Sequence, residues 1–298
     1  MNENRKLGKR SRDGERQCSF SPVPETEPTR RHPSFITLLT DFGLTDAYVA
    51  VMKGVIASIS PDATVIDLSH NVKPQDVRGA AFLLACSFAY FPPETIHVVV
   101  VDPTVGSGRR ALCVQSGKHF FVGPDNGVLS IACYRAGRPK IFSLENRQYF
   151  LKKPSRTFHG RDIFAPVASH LSNGVPMASF GPRVGSMERI RFPLPSRLRD
   201  HGLRGEVVYI DRFGNLITNI DDTSMSSVFS LAQRHRLLIT CGGSTIAGLH
   251  KSYSDVAPGM ASALFGSYNL LEIAVRDGSA SLLFGVTQGE KVTVRLAK

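Results

Sequence analysis

Phe35-Ile-Thr-Leu-Leu-Thr40 is an apolar run of strand length that stops abruptly at Asp41-Phe42-Gly43. Residues 46–60 follow with Ala47, Val51, Val55 and Ile59 four apart and Met52 and Ile56 beside them, the spacing of a helical face. Thr64–Leu68 is a second β-branched run. Asp76 then precedes Val77, Ala80, Ala81, Leu84, Ala85 and Phe88, which predicts a helix with an aspartate N-cap. Ile96–Val101 shows almost no polar alternation, as expected of a strand buried on both faces. Strand, helix, strand, helix, strand at this spacing predicts an α/β fold: a mostly parallel N-terminal sheet with helices on both faces.

The texture changes after Glu188. Pro193, Pro195 and the basic stretch to Arg199 read as a linker, and beyond it Gly205–Ile220, Leu237–Thr240, Asn269–Val275 and Lys291–Leu296 are short β-rich runs broken by Gly and Asn. The expected organisation is an α/β domain over 34–190, a linker over 191–204 and a smaller, antiparallel, barrel-like β domain over 205–298. Two domains also suit a chain of 298 residues, at about 150 residues each. Residues 1–33 are polar, basic and without period. They lack the apolar segment of a secretory signal, and their acidic residues count against a transit peptide, so a disordered tail or an over-extended start is expected.

Composition excludes several classes. With 42% apolar and 20% charged residues the chain has material for a core and is neither wholly disordered, collagen-like nor a disulfide scaffold. No apolar run approaches the ~20 residues of a membrane span, so no membrane association is expected. The net charge of +11 is diffuse: residues 1–34 hold eight basic and five acidic residues, and +8 is spread over the rest. Such an excess speaks to solubility more than to a nucleic-acid groove, and no nucleic-acid partner is expected. Cys18, Cys86, Cys113, Cys133 and Cys241 are odd in number, scattered and without zinc-like spacing, which reads as a reduced, cytoplasmic protein with no metal site.

In open α/β sheets ligands bind beyond the carboxyl ends of the strands. Asp41 stands where the first strand ends and Asp102 directly after Ile96–Val101, two carboxylates at one end of one sheet. Each would equally serve as a turn cap. In Asp102-Pro-Thr-Val-Gly-Ser-Gly-Arg109 the glycines allow tight backbone and Arg109 can fold back on Asp102, holding it oriented for chemistry or forming a structural ion pair. The loop fits no phosphate-binding pattern. His159, in Phe158-His-Gly-Arg-Asp162 ahead of an amphipathic segment, suits a proton acceptor near neutral pH, or a solvent-facing cap. Asp211-Arg-Phe-Gly-Asn215 lies in a β-rich run, where Phe213 offers a stacking face and Asp211 and Asn215 polar contacts, unless it is an ordinary bulged hairpin.

Thr40-Asp-Phe-Gly43, Pro74-Gln-Asp-Val-Arg78, Asp102-Pro-Thr-Val-Gly106, Gly123-Pro-Asp-Asn-Gly127, Phe158-His-Gly-Arg-Asp162 and Asp211-Arg-Phe-Gly-Asn215 together resemble, in order and spacing, the S-adenosylmethionine hydroxide adenosyltransferases. The resemblance runs from Phe35 to Leu296. It implies hydrolysis of S-adenosylmethionine to adenosine and methionine without a cofactor, in a homotrimer with active sites between neighbouring subunits. The family's Asp–Arg–His set falls on Asp102, Arg109 and His159, with either Asp102 or His159 as proton acceptor. Its ribose-binding aspartate falls on Asp41. Asp211 would hold the methionine amino group, Phe213 would stack on adenine and Asn215 would also line the site.

The related halogenases carry Tyr where Asp102 stands, Thr near Val105, Ser where Gly160 stands, and a long insertion absent between Arg109 and Gly123. An anionic Asp102 would repel a halide, whereas a water nucleophile gains from acceptors that orient it. Thr104 departs from the Gly common in the hydrolases. A non-catalytic nucleoside-binding protein is the other alternative; it would not need the Asp102, Arg109 and His159 set.

Overall fold

Successive residues of the first strand point to opposite sides, and both sides are dry. The computed structural model describes residues 34–297; the predicted tail and Cys18 lie outside the described residues. The N-terminal half runs β1 (Phe35–Thr40), α1 (Tyr48–Ile59), β2 (Thr64–Ser69), α2 (Val77–Ser87), β3 (Ile96–Val100), β4 (Ala111–Ser116), β5 (His119–Pro124), α3 (Ser130–Ala136), β6 (Lys140–Ser143), α4 (Ala165–Ser172) and β7 (Arg183–Val184). Ile36 and Leu38 of β1 and Val98 of β3 pack on Met52 and Ile56 of α1 and Val167 of α4. Leu39 and Val99 face the other way, onto Leu84 of α2 and Ala132 of α3. Burying each large aliphatic contributes roughly 1.5–3 kcal/mol, so this two-sided burial is what makes the alternation disappear from the sequence.

The sheet order is β2-β1-β3-β5-β4-β6-β7. β2, β1, β3 and β5 are parallel to one another, but β4 pairs antiparallel with β5 and β6, and β6 with β7. The sheet is therefore mixed: its parallel group of four carries an antiparallel margin. The reason is local: only Gly117 and Lys118 separate β4 from β5, and a parallel partner would need a crossover of a dozen residues or more. The expected face of α1 is also rotated. Val49, Met52 and Ile56 are buried, while Val51 stays 39% exposed beside exposed Leu44 and Tyr48. Asp76 caps α2 as expected, its carboxylate accepting from the Gly79 N–H.

The C-terminal half runs β8 (Ser196–Arg197), β9 (Leu203–Ile210), β10 (Leu216–Asp221), α5 (Asp222–Ser226), β11 (Leu237–Cys241), β12 (Ser244–Ala247), β13 (Ala261–Phe265), β14 (Leu270–Val275), α6 (Ala280–Phe284) and β15 (Lys291–Leu296). Its order is β12-β11-β15-β9-β10-β14-β13, antiparallel throughout, with β8 on β9. The two ends nearly close on each other, and the His250 N–H just past β12 donates to the Ala263 carbonyl of β13 at 2.8 Å. Leu203, Val207, Leu216, Ile239, Ile273 and Val294 fill the interior of this near-barrel. Where the halves meet, buried Phe82 of α2 stacks on Tyr209 at 5.0 Å and Phe192 at 6.1 Å, with Val208, Ile217 and Leu270 around it.

Candidate active site

β1 and β3 are neighbours and parallel, so Asp41 and Asp102, which follow them, emerge at the same end of the sheet. The loop after β3 turns back so that the Arg109 Nε donates to both Asp102 oxygens, at 3.0 and 2.9 Å, and Nη2 closes the fork on Oδ2. The pair is nearly dry, with the side chains of Asp102 and Arg109 only 4% and 7% exposed. A fork at this burial fixes the orientation of both groups as well as joining their charges. The Thr104 hydroxyl donates to Asp102 Oδ1 at 3.1 Å, so the threonine at this departure from the family pattern serves the same carboxylate.

His159 arrives from the other side, on the residue before a π-helical turn at Gly160–Phe164 that leads directly into α4. The turn starts where a plain helix was expected. Its Asp162, fully buried, accepts from the Ser155 N–H and the Arg161 guanidinium, which folds the 155–162 segment onto itself. The two loops meet at Gly106, whose φ is +78° and where a Cβ would lie 2.5 Å from the Arg156 carbonyl oxygen. Only glycine allows both that backbone and that approach. With the loops in contact, Arg109 Nη2 reaches His159 Nδ1 at 2.9 Å, and the guanidinium also sits 5.5 Å from the Phe164 ring centre.

That contact sets the imidazole tautomer. A guanidinium only donates, so Nδ1 must be the unprotonated nitrogen and neutral His159 carries its proton on Nε2. Burial first, and the Arg109 cation second, hold His159 below its ordinary value against the opposing pull of Asp102 and Asp162. Neutral histidine is thus built into the arrangement.

Asp41 accepts from the Gln75 N–H at 2.8 Å through Oδ2, which ties its loop to the Pro74–Arg78 motif. Thr40, its neighbour, is held by the ring of buried His70 at 2.8 Å, and the Gly43 N–H donates to the His70 carbonyl. Phe42, Tyr48 and Phe158 form an aromatic corner beside it, with ring centres 5.2–5.7 Å apart. Gln75, His70 and this corner were missed by the sequence reading. Gln75 and Phe158 stood inside quoted motifs, whereas His70 carried no signal.

The Asp211–Asn215 segment is not inside a strand; it is the tight turn between β9 and β10. Asp211 Oδ1 accepts from the Phe213 and Asn215 N–H groups and Oδ2 from the Asn215 amide, so this carboxylate builds its own turn. Phe213 is 76% exposed and Asn215 buried. Nearby, buried Glu272 is pushed up by burial and by Asp211, and accepts from the Tyr253 hydroxyl at 2.6 Å. Among the described residues no hydrogen bond or ion pair joins this turn to Asp41, Asp102, Arg109 or His159. Nor do any three His, Cys, Asp or Glu gather as a metal site among them. No helix among the described residues is long and apolar enough to cross a membrane.

Comparison with known proteins shows the family. Residues 36–181 match the family described as SAM hydroxide adenosyltransferase N-terminal domain, and residues 205–293 its C-terminal domain. A protein of Salinispora tropica named (R)-S-adenosyl-L-methionine hydrolase is 38% identical over 262 residues, covering 87% of this chain and 97% of that one. A fluorinase of Nocardia brasiliensis is more distant, 27% identical over 91% of this chain and 99% of its own. A solved structure of an uncharacterised conserved protein from Thermotoga maritima superposes with a TM-score of 0.81 at 38% identity, covering 87% of this chain and 99% of that one. The chain, from the first strand of its mixed sheet to the last of its near-barrel, belongs to the SAM hydroxide adenosyltransferase family.

Proposed function

We propose that this protein hydrolyses S-adenosyl-L-methionine to adenosine and L-methionine by in-line attack of water at C5′, with Asp102, Arg109 and His159 as its catalytic residues. The observation that carries the reading is the single guanidinium that donates to both Asp102 and His159 in a nearly dry pocket. The leaving sulfur starts as a cation and departs as neutral methionine, so it needs no acid. What the reaction needs is alignment of water, carbon and sulfur, worth several kcal/mol when the geometry is fixed (about 7–11 in well-oriented intramolecular reactions).

The roles divide by geometry. Asp102 is the proton acceptor, because the single lone pair of neutral His159 is taken by Arg109, whereas Arg109 Nε, Arg109 Nη2 and the Thr104 hydroxyl leave about one acceptor position of the carboxylate free. His159 Nε2–H orients the water, and Arg109 holds both. The carboxylate at 102 also argues for water over halide, since no anion gains from standing beside it. Asp41 binds the ribose, Phe213 stacks on adenine, and Asp211 and Asn215 hold the methionine end and line the site. With three acceptor positions of Asp211 filled within its turn, about one remains for an ammonium.

In this reading the Asp211 turn and the Asp102 cluster, unbonded to each other among the described residues, come together between neighbouring subunits of a cytoplasmic homotrimer, as the family resemblance implies. Exposed Phe213 on one half and exposed Leu44 and Tyr48 on the other are suited to such a contact. Water is the only co-reactant in this reading. The test is incubation of the purified protein with S-adenosyl-L-methionine in chloride-free and chloride-containing buffer, with nucleosides separated by chromatography. Adenosine in both, with no 5′-chloro-5′-deoxyadenosine, is the expected outcome; intact substrate or a halogenated nucleoside defeats the reading.

A further inference from the structure

The Gly123-Pro-Asp-Asn-Gly127 motif bonds Val101 and Arg110, the residues that flank the loop from Asp102 to Arg109. The loop that carries Asp102 and Arg109 leaves the sheet at Val101 and returns to it at Arg110. Asn126 Nδ2 donates to the Val101 carbonyl at 2.9 Å, while its Oδ1 accepts from the Val128 N–H at 3.1 Å. This pairing admits one orientation of the amide, because turning it over would set donor against donor and acceptor against acceptor.

At the other end, the Asp125 N–H donates to the Arg110 carbonyl at 3.0 Å, and Asp125 Oδ2 takes Arg110 Nε at 2.8 Å and Nη2 at 2.6 Å. The remaining oxygen, Oδ1, accepts from the Glu188 N–H at 2.7 Å, so this buried carboxylate is tied on both sides. The Arg110 carbonyl also receives Arg109 Nη1 at 3.3 Å. The same short stretch of chain therefore grips the residue before Asp102 and the residue after Arg109. It can do so because Gly123 lets β5 run against β3: a Cβ there would stand 2.6 Å from the Val99 carbonyl oxygen.

We propose that Asp125 and Asn126 are positioning residues for the hydrolysis, clamping the two ends of the 102–109 loop so that Asp102 and Arg109 meet the water in fixed register. The proposal rests on the hydrolase reading above and deepens it. It assigns to the motif a catalytic consequence without substrate contact, since displacement of a catalytic group by about 1 Å is enough to cost a hundredfold in rate.

Asn126→Asp replaces the donor to Val101 by an acceptor, and Asp125→Asn removes the charge that holds Arg110, each at unchanged size. Both variants are expected to lower kcat by about ten- to a hundredfold while KM for S-adenosyl-L-methionine changes less than about threefold. Arg110→Gln, which also loses the Nη2 bond to the Ser186 carbonyl at 3.0 Å, should lower kcat at least as much as Asp125→Asn, and the double variant should be no worse than Arg110→Gln alone, because the ion pair is already broken in it. His97→Gln, at the opposite end of β3, is the control: it lowers stability without touching kcat. Hydrogen exchange of the free enzyme supplies a readout independent of turnover. Amides of residues 104–110 should exchange several-fold faster in the two clamp variants, with the β1 amides unchanged. Wild-type exchange in that loop, or a fall in kcat no larger than the control's at equal loss of stability, overturns the clamp. A wild-type protein that makes no adenosine overturns the hydrolase reading, and with it the catalytic consequence, while the exchange result still judges the clamp.

Discussion

Arg109 has no lone pair, so everything it touches must accept, and this one constraint orders the cluster. Asp102→Asn keeps the shape but loses the acceptor. It should lower kcat by about a hundredfold or more, as expected for loss of a general base, with KM little changed; single-turnover formation of adenosine measures it. Asp41→Ala should do the reverse, raising KM with a smaller effect on kcat. The pH profile carries a second expectation. The imidazole of His159, faced by Arg109, Asp102 and Asp162, is held below 6.5 by burial and by Arg109, and the proposed mechanism uses it neutral. Activity should therefore persist as pH falls past 6.5 and drop only as it crosses the lowered value. An acid limb of kcat at or above 6.5 would defeat that assignment. The identities of Asp102, Arg109 and His159 were legible as residue types in a recurring pattern. The division of labour proposed for them was not, because it rests on which atom Arg109 reaches across 50 positions of sequence.

Among the elements, β1, α1, β2, α2 and β3 were legible because strands buried on both faces leave short unbroken apolar runs, and the helices between them leave apolar residues at helical spacing. The β4–β5 hairpin left a fainter mark, a single Gly117 ahead of Lys118, whose φ of +56° supplies the turn. The π-helical turn before α4 was silent, as an extra residue per turn leaves the apolar spacing almost intact. β3 and β5 also hold a pair of histidines at the end of the sheet away from the site. His97 is fully buried, bonded to the Thr37 hydroxyl at 2.8 Å and stacked on Phe121, and burial pushes its ring from 6.5 down to about 3. A group whose folded value is depressed in this way stays neutral in the fold while the unfolded chain takes up a proton below 6.5. Stability should be full above pH 6.5 and fall steadily toward about 3, at up to about 1.4 kcal/mol per pH unit. Thermal melts across that range should show the slope, and His97→Gln should flatten it despite being less stable at pH 7. An unchanged slope would place the titration elsewhere.

At the scale of the whole molecule, the two halves are joined through Phe82. Replacing it by Ala removes a ring stacked on Tyr209 and Phe192 and should cost about 3–5 kcal/mol, with denaturation followed by near- and far-ultraviolet circular dichroism ceasing to coincide. The β-rich half was legible as a class from its Gly- and Asn-punctuated runs. Its strand order was not, because antiparallel partners such as β9 and β15 lie far apart in sequence. Assembly belongs to this scale too. If neighbouring subunits complete each site, Asp102→Asn and Asp211→Asn variants, each inactive alone, should regain about a quarter of wild-type activity when refolded together, since about one interface in four then holds both intact residues. No recovery in mixed refolding would mean that each chain carries its whole site.

The contact between the His250 N–H and the Ala263 carbonyl has a consequence beyond closing a circle of strands. A sheet with two free margins invites other chains to extend it, and this one is lined with valine, isoleucine and leucine. By meeting each other, the margins at β12 and β13 deny that template to strangers. His250→Pro, which has no N–H to give, should leave the enzyme folded and active when fresh. It should then form thioflavin-binding aggregates on standing at concentrations where the unaltered protein stays clear.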